Sequence, residues 1–430
     1  MRNPASVGFG VLLGLILSTA GAYDKDCRIY DPDAAHLWNR LHETLFVRVA
    51  ADGARYGCDR IDPLYWYTTK QTLAKDSHRA AIGILDKFLQ EHGEKLIRDP
   101  LRRAFLQHDL WALFDWSTQN PHFEEYGPER KALQLRLAAV IRRLALSERE
   151  IAALPGNFAS PPDGGPVTVL PDRLLDPEGP WIAVAAAGPV APVHAQDFGG
   201  RSIFQVYLKL PEGRAATLSY LARLHAIDIL WSPAEPNWPR EEPVVLRPDL
   251  PQFPAGTQWV LVRTMAVLDP NANIRPTPVV ESIQLRIYDH VPAGQWPTPD
   301  ETKAIQRFQE FQSVRSRQGA LRQVQPGELD FQFVLFRTMG GDPIQHANER
   351  GEGISFTAAH HDALRQCGIC HAGSGVYSVR ILVPLGGIRE RLREPGLREA
   401  KPGEEAVATA LWKRSQYDFG LLRGLWERAD

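Results

Sequence analysis

The chain has 430 residues, ordinary apolar content, plentiful charge and a formal net charge of −2 at pH 7. That length holds two or three domains with cores of their own, and the composition is globular, neither disordered nor fibrous. The near-neutral balance, with no basic stripe carrying interleaved aromatics, argues against a nucleic-acid partner.

Residues 1–22 read as a signal peptide. Arg2 supplies the positive start, Val7 to Leu17 the apolar stretch, and Ala20-Gly21-Ala22 the small residues of a cleavage site. Cleavage after Ala22 leaves Tyr23 as the mature start and a periplasmic or secreted protein. The apolar stretch is too short to span a bilayer comfortably, so no stable membrane span is expected after cleavage. Cys27 and Cys58 lie near this new terminus, and in an oxidising compartment they are expected to pair. A bridge closing a loop of that size stabilises by roughly 3–4 kcal/mol in the chain-entropy model.

Residues 23–157 read as a helical domain. Asp31-Pro32-Asp33 precedes a face of Leu37, Trp38, Leu41 and Leu45, on which His36 and His42 are ordinary surface or core histidines. Asp99-Pro100 is an N-cap followed by proline at the first helical position. Leu133, Leu137, Val140, Ile141 and Leu144 recur at helical spacing. Ser147 and Glu150 form a capping box, and Pro155-Gly156 stops that helix.

Residues 158–300 read as β-rich. Phe204, Val206, Leu208 and Leu210 alternate against Gln205, Tyr207 and Lys209. A short helix carrying Leu218, Leu221 and Leu224 follows Pro211-Glu212-Gly213. Strands are expected at 259–264 and 282–288, separated from the earlier ones by a proline-rich stretch unsuited to a sheet interior. A helix opens at Thr298-Pro299-Asp300-Glu301, across the boundary to the last region, 301–430, where a strand covers 331–337 and a helix runs from about Glu404 to Trp426. Gln258–Met265 parallels Gln332–Met339, either as strands of similar composition or as a duplicated β unit. The fold class expected is α+β, with an N-terminal helical domain before a sandwich-like or barrel-like region.

The sharpest chemical signal is Cys367-Gly-Ile-Cys370-His371. On a helical turn both sulfurs and the imidazole share one face, so two thioether bonds and an axial iron ligand can come from one side. The run resembles the haem-attachment site of c-type cytochromes, whose maturation outside the inner membrane agrees with the export signal. The resemblance implies covalent haem c on Cys367 and Cys370, with His371 as axial ligand to iron. It also implies a redox partner protein. Three other readings of the residues stay open: a zinc site drawing on His360, His361, Cys367, Cys370 and His371, a dithiol couple, and a structural disulfide.

After His371 the chain departs from the small-cytochrome pattern, because no methionine or histidine follows. Met339, before Gly340-Gly341, is the expected distal ligand and His346 the alternative. Arg263 and Arg337 sit mid-strand, placed for haem propionates or for salt bridges. The function implied is a monohaem redox protein, in electron transfer or small-ligand haem chemistry. The alternative is a non-catalytic exported protein with structural zinc. No Ser-His-Asp order, phosphate loop or His-Glu-x-x-His run points to hydrolysis.

Overall fold

The computed structural model describes residues 27–49, 55–56, 58, 75–119, 127–158, 170–186, 188–233, 244–292, 306–326, 371, 373–379 and 397–428. The fold is α+β. Helices α1 (Leu37–Phe46), α2 (Lys75–Gln90), α3 (Pro100–Gln119), α4 (Gly127–Arg143) and α5 (Glu148–Ala152) form the first layer. Their starts follow local chemistry. The Asp99 carboxylate takes the Leu101 N–H at the head of α3, and Ser147 and Glu150 close a reciprocal capping box on α5. A ribbon of β1 (Arg48–Val49) and β2 (Arg55–Tyr56) follows α1, and Cys27 is bonded to Cys58 beside it, with Cα atoms 4.6 Å apart.

The β part is a seven-stranded antiparallel sheet. Its strands are β3 (Ile182–Ala185), β4 (Ser202–Lys209), β7 (Gln258–Leu268), β8 (Ile274–Tyr288), β9 (Gln306–Val314), β10 (Ala320–Gln323) and β11 (Arg398–Glu399). The order is β10-β9-β8-β7-β4-β3-β11. Helix α6 (Pro192–Asp197) leads into β4, and α7 (Arg214–His225) follows it. The described ends of the proline-rich stretch form a separate ribbon of β5 (Trp231–Pro233) and β6 (Val244–Leu246) outside the seven-stranded sheet.

Both faces of the sheet are buried against something. On one, Ile182, Val184, Leu208, Trp259 and Tyr288 pack on Tyr220, Leu221 and Leu224 of α7, together with Val376 and Val379. On the other, Val260, Val262, Ile283, Leu285, Phe311 and Leu321 pack with Leu174 and Trp181. The helical layer has no separate interior. Trp38, Phe88, Trp111 and Leu137 share one core with Met265, Ala266, Val267 and Leu268 of β7. The same core takes Phe419, Leu422 and Trp426.

Two segments differ from their sequence patterns. The start of the helix expected after Thr298 lies outside the described residues, and from Gln306 the chain is strand β9, which pairs with β8 from Tyr288↔Gln306 to Ser282↔Gln312. The C-terminal helix is two helices, α8 (Glu404–Arg414) and α9 (Tyr417–Trp426), with a corner at Ser415-Gln416. The corner is stapled by Lys413 Nζ donating to Asp418 at 2.8 Å, and it turns the apolar face of α9 onto the helical core. Among the described residues no helix is long and apolar enough to cross a membrane.

Candidate functional site

Of the residues singled out from the sequence, Cys367, Cys370, Met339 and His346 lie outside the described residues, as do Arg337, His360, His361 and the repeat 332–339. His371 lies within them, part-buried, at the head of the turn 373–379. That turn is built by small residues. Gly375 takes φ +51° and has the Gln252 amide where a Cβ would sit, and a Cβ on Gly373 would run into the Tyr377 carbonyl. The glycines therefore serve a close-packed turn. Val376 N–H donates to Gln252 Oε1 at 2.6 Å, Ser374 Oγ to the Pro292 carbonyl at 2.7 Å, and Tyr377 OH to the Pro248 carbonyl at 2.7 Å. Val376 and Val379 drop into the core between the sheet and α7.

The turn returns Ser378 to the His371 ring. Ser378 O lies 2.9 Å from His371 Nδ1. A carbonyl can only accept, so Nδ1 carries the proton, and in the neutral imidazole the lone pair is left on Nε2. This is the tautomer that ligates a metal through Nε2, with the second nitrogen fixed by a carbonyl. Gln306, first residue of β9, holds the backbone from the other side by donating to the His371 carbonyl at 2.9 Å. Among the described residues its own buried Oε1 meets no donor.

Ser378 is a hub. Its hydroxyl donates to the Gly375 carbonyl at 2.8 Å, so its oxygen accepts from the neighbouring Tyr288 hydroxyl. Arg286 donates to Tyr288 OH at 2.9 Å and to Ser378 O at 3.2 Å. Burial pushes the Tyr288 phenol above its ordinary range, which keeps it protonated and able to donate.

The sheet extends this polar surface. Strand alternation and the register place Arg286, Gln284 and Ser282 of β8 on the same face as Gln306, Glu310 and Gln312 of β9 and Arg263 of β7. Arg263 lies over the Phe198 ring at 4.4 Å, with its Nε 3.7 Å from Glu281. Of the two roles open to Arg263, the structure supplies the salt bridge. Glu281 also accepts from Ser202 Oγ at 2.6 Å and faces His108 Nε2 at 3.2 Å, while His108 Nδ1 meets the Ala266 carbonyl at 3.0 Å. The Ala266 carbonyl fixes the Nδ1 proton and turns Nε2 to the Glu281 carboxylate. His194 stacks near Phe204, and burial, with Arg263 and Arg286 nearby, pushes it down to about 4, so it is neutral at neutral pH.

Sequence reasoning passed over Arg286, Ser378, His194, His108 and Glu281. For Arg286 and Glu281 the one signal is charge inside the pattern of β8, which marks a polar sheet face without naming its partners; His108 on α3, His194 on α6 and Ser378 in the turn carry no such signal. Among the described residues no group of three His, Cys, Asp or Glu side chains could hold a metal ion. Comparison with protein families, with curated proteins and with solved structures found no match to the chain.

Proposed function

We propose that the chain is an exported monohaem protein of the c-type cytochrome kind, with haem c on Cys367 and Cys370 and His371 ligating iron. The observation that supports it most is the His371 ring, whose Nδ1 proton is held by Ser378 O at 2.9 Å, the tautomer in which histidine ligates a metal through Nε2. Bound haem supplies a one-electron iron couple. The chain's own residues do the rest. Ser378 O fixes the tautomer and turns the ring, Gln306 holds the His371 backbone, and the packed turn 373–379 keeps both in register with the sheet. Met339 serves as the distal ligand, or His346 in its place. A periplasmic or secreted location after cleavage at Ala22, a redox partner protein and the absence of a nucleic-acid partner belong to this reading.

Zinc at the same run is the second reading, because the same Nε2 lone pair suits it. One experiment separates them. Expressed to the periplasm with a cytochrome c maturation system, the protein is expected to be red and to keep its haem on a denaturing gel. Failure of the reduced form to bind carbon monoxide is the outcome for a filled sixth position. A colourless protein with one zinc per chain defeats the haem reading.

A further inference from the structure

We infer that Arg286 is a positioning residue that sets the strength of the His371 Nδ1 hydrogen bond, and through it the reduction potential of the iron. The inference rests on the haem reading above. The Ser378 carbonyl is shared by two donors, the imidazole at 2.9 Å and the Arg286 guanidinium at 3.2 Å. A carbonyl has two lone pairs and accommodates both. The guanidinium is a charged donor and draws electron density from the oxygen, which then pulls less on the imidazole proton. A weakly held proton leaves the ring less imidazolate-like and a poorer donor to iron, which favours the reduced state. Hydrogen bonding behind an axial histidine is one of the levers a protein has on a metal centre.

Arg286 is set for this and for little else. Arg201, Arg263 and Arg315 each meet a buried carboxylate, at Asp115, Glu281 and Asp109. Arg286 meets none among the described residues, and its charge is spent on Tyr288 OH and Ser378 O. Tyr288 in turn donates to the Ser378 hydroxyl, so the serine is held at both its side chain and its carbonyl. The guanidinium therefore cannot drift from the oxygen without breaking a second bond.

The test is a spectroelectrochemical titration of periplasmically matured holoprotein. Arg286→Gln is expected to lower the midpoint potential with the haem still covalently attached. Arg286→Lys keeps the charge but shifts the donor from the place of Nη1, which makes both bonds, and its potential is expected between the two. Should the glutamine variant not accumulate, the lysine variant carries the test by its smaller fall. Arg307→Gln is the charge control, since Arg307 is exposed, pairs with Asp289 and points from the opposite face of β9; its potential is expected near wild type. A loaded Arg286 variant at the wild-type potential, or an equal fall in Arg307→Gln, overturns this inference alone. A wild-type protein without covalent haem overturns the functional reading and this inference together.

Discussion

Glu405, in the first turn of α8, is buried, accepting from the Val190 N–H at 2.9 Å and from Thr409 Oγ1 at 3.4 Å. Burial pushes its carboxyl from an ordinary value of 4.5 up to about 7. The folded state therefore binds a proton that the unfolded chain has released across that interval. Stability from this group falls as pH rises from about 4.5 to about 7 and is level above, a loss on the order of 3 kcal/mol. Glu405→Gln keeps an acceptor for Val190 and cannot titrate. Urea denaturation is expected to show the variant more stable than wild type above pH 7, with a flatter pH slope below; an unchanged slope refutes the assignment. At this scale the sequence was legible where the signal is local. The capping box at Ser147 and Glu150 is such a signal, and so is the Asp99 cap ahead of Pro100. The acceptor for His371 is a main-chain oxygen seven residues on, presented by a turn, and a backbone atom has no letter in the sequence.

Strand β9 shows where element type escapes a linear reading. Phe308 and Phe311 are three apart, and Gln306, Arg307, Gln309, Glu310 and Gln312 put polar groups on both faces, so no clean period of two is visible. Its neighbours decide the conformation, because β8 and β10 offer paired edges and Phe311 enters the core beside Ile283 and Leu321. Strands β4, β7 and β8, with apolar residues alternating over a longer run, were legible. Asn157 ties these strands to the end of the helical layer. Its amide donates to the Val280 carbonyl at 2.7 Å and the Gly319 carbonyl at 2.5 Å, and its Oδ1 accepts from the Val280 N–H at 2.7 Å. Asn157→Ala strands these buried backbone groups, and urea denaturation is expected to report a loss of roughly 2–4 kcal/mol. A loss under about 0.5 kcal/mol, the scale of an ordinary surface change, would mean that water replaces the clamp.

Over the whole molecule, one buried charge cluster joins the layers. Asp115 of α3 accepts from Arg201, just before β4, at 2.6 Å and from Lys413 of α8 at 2.6 Å, and Lys413 also reaches Asp418 of α9 at 2.8 Å. Two cations and two carboxylates balance. Lys413→Met removes one cation and leaves two carboxylates in the cluster against the single charge of Arg201, at a cost of roughly 3–5 kcal/mol by chemical denaturation. Adding Asp418→Leu restores the balance and is expected to recover part of that loss; a single variant within 1 kcal/mol of wild type, roughly the worth of an exposed pair, would deny the cluster this role. No sequence pattern links these positions, which is why the shared core was legible only as separate apolar stripes. The same long reach governs the order of assembly. Trp426 and Phe419 complete the interior that Trp38 and Trp111 begin, and β11 pairs with β3 from about half the chain's length away. Contacts so distant in sequence form late. On the reading of an exported chain, one threaded N-terminus first through a membrane is expected to stay open until α8 and α9 have crossed, with Cys367 and Cys370 crossing before them. On the haem reading, a maturation enzyme meets both thiols on an unfolded strand, during an interval set by the translocation of the residues between them and Trp426.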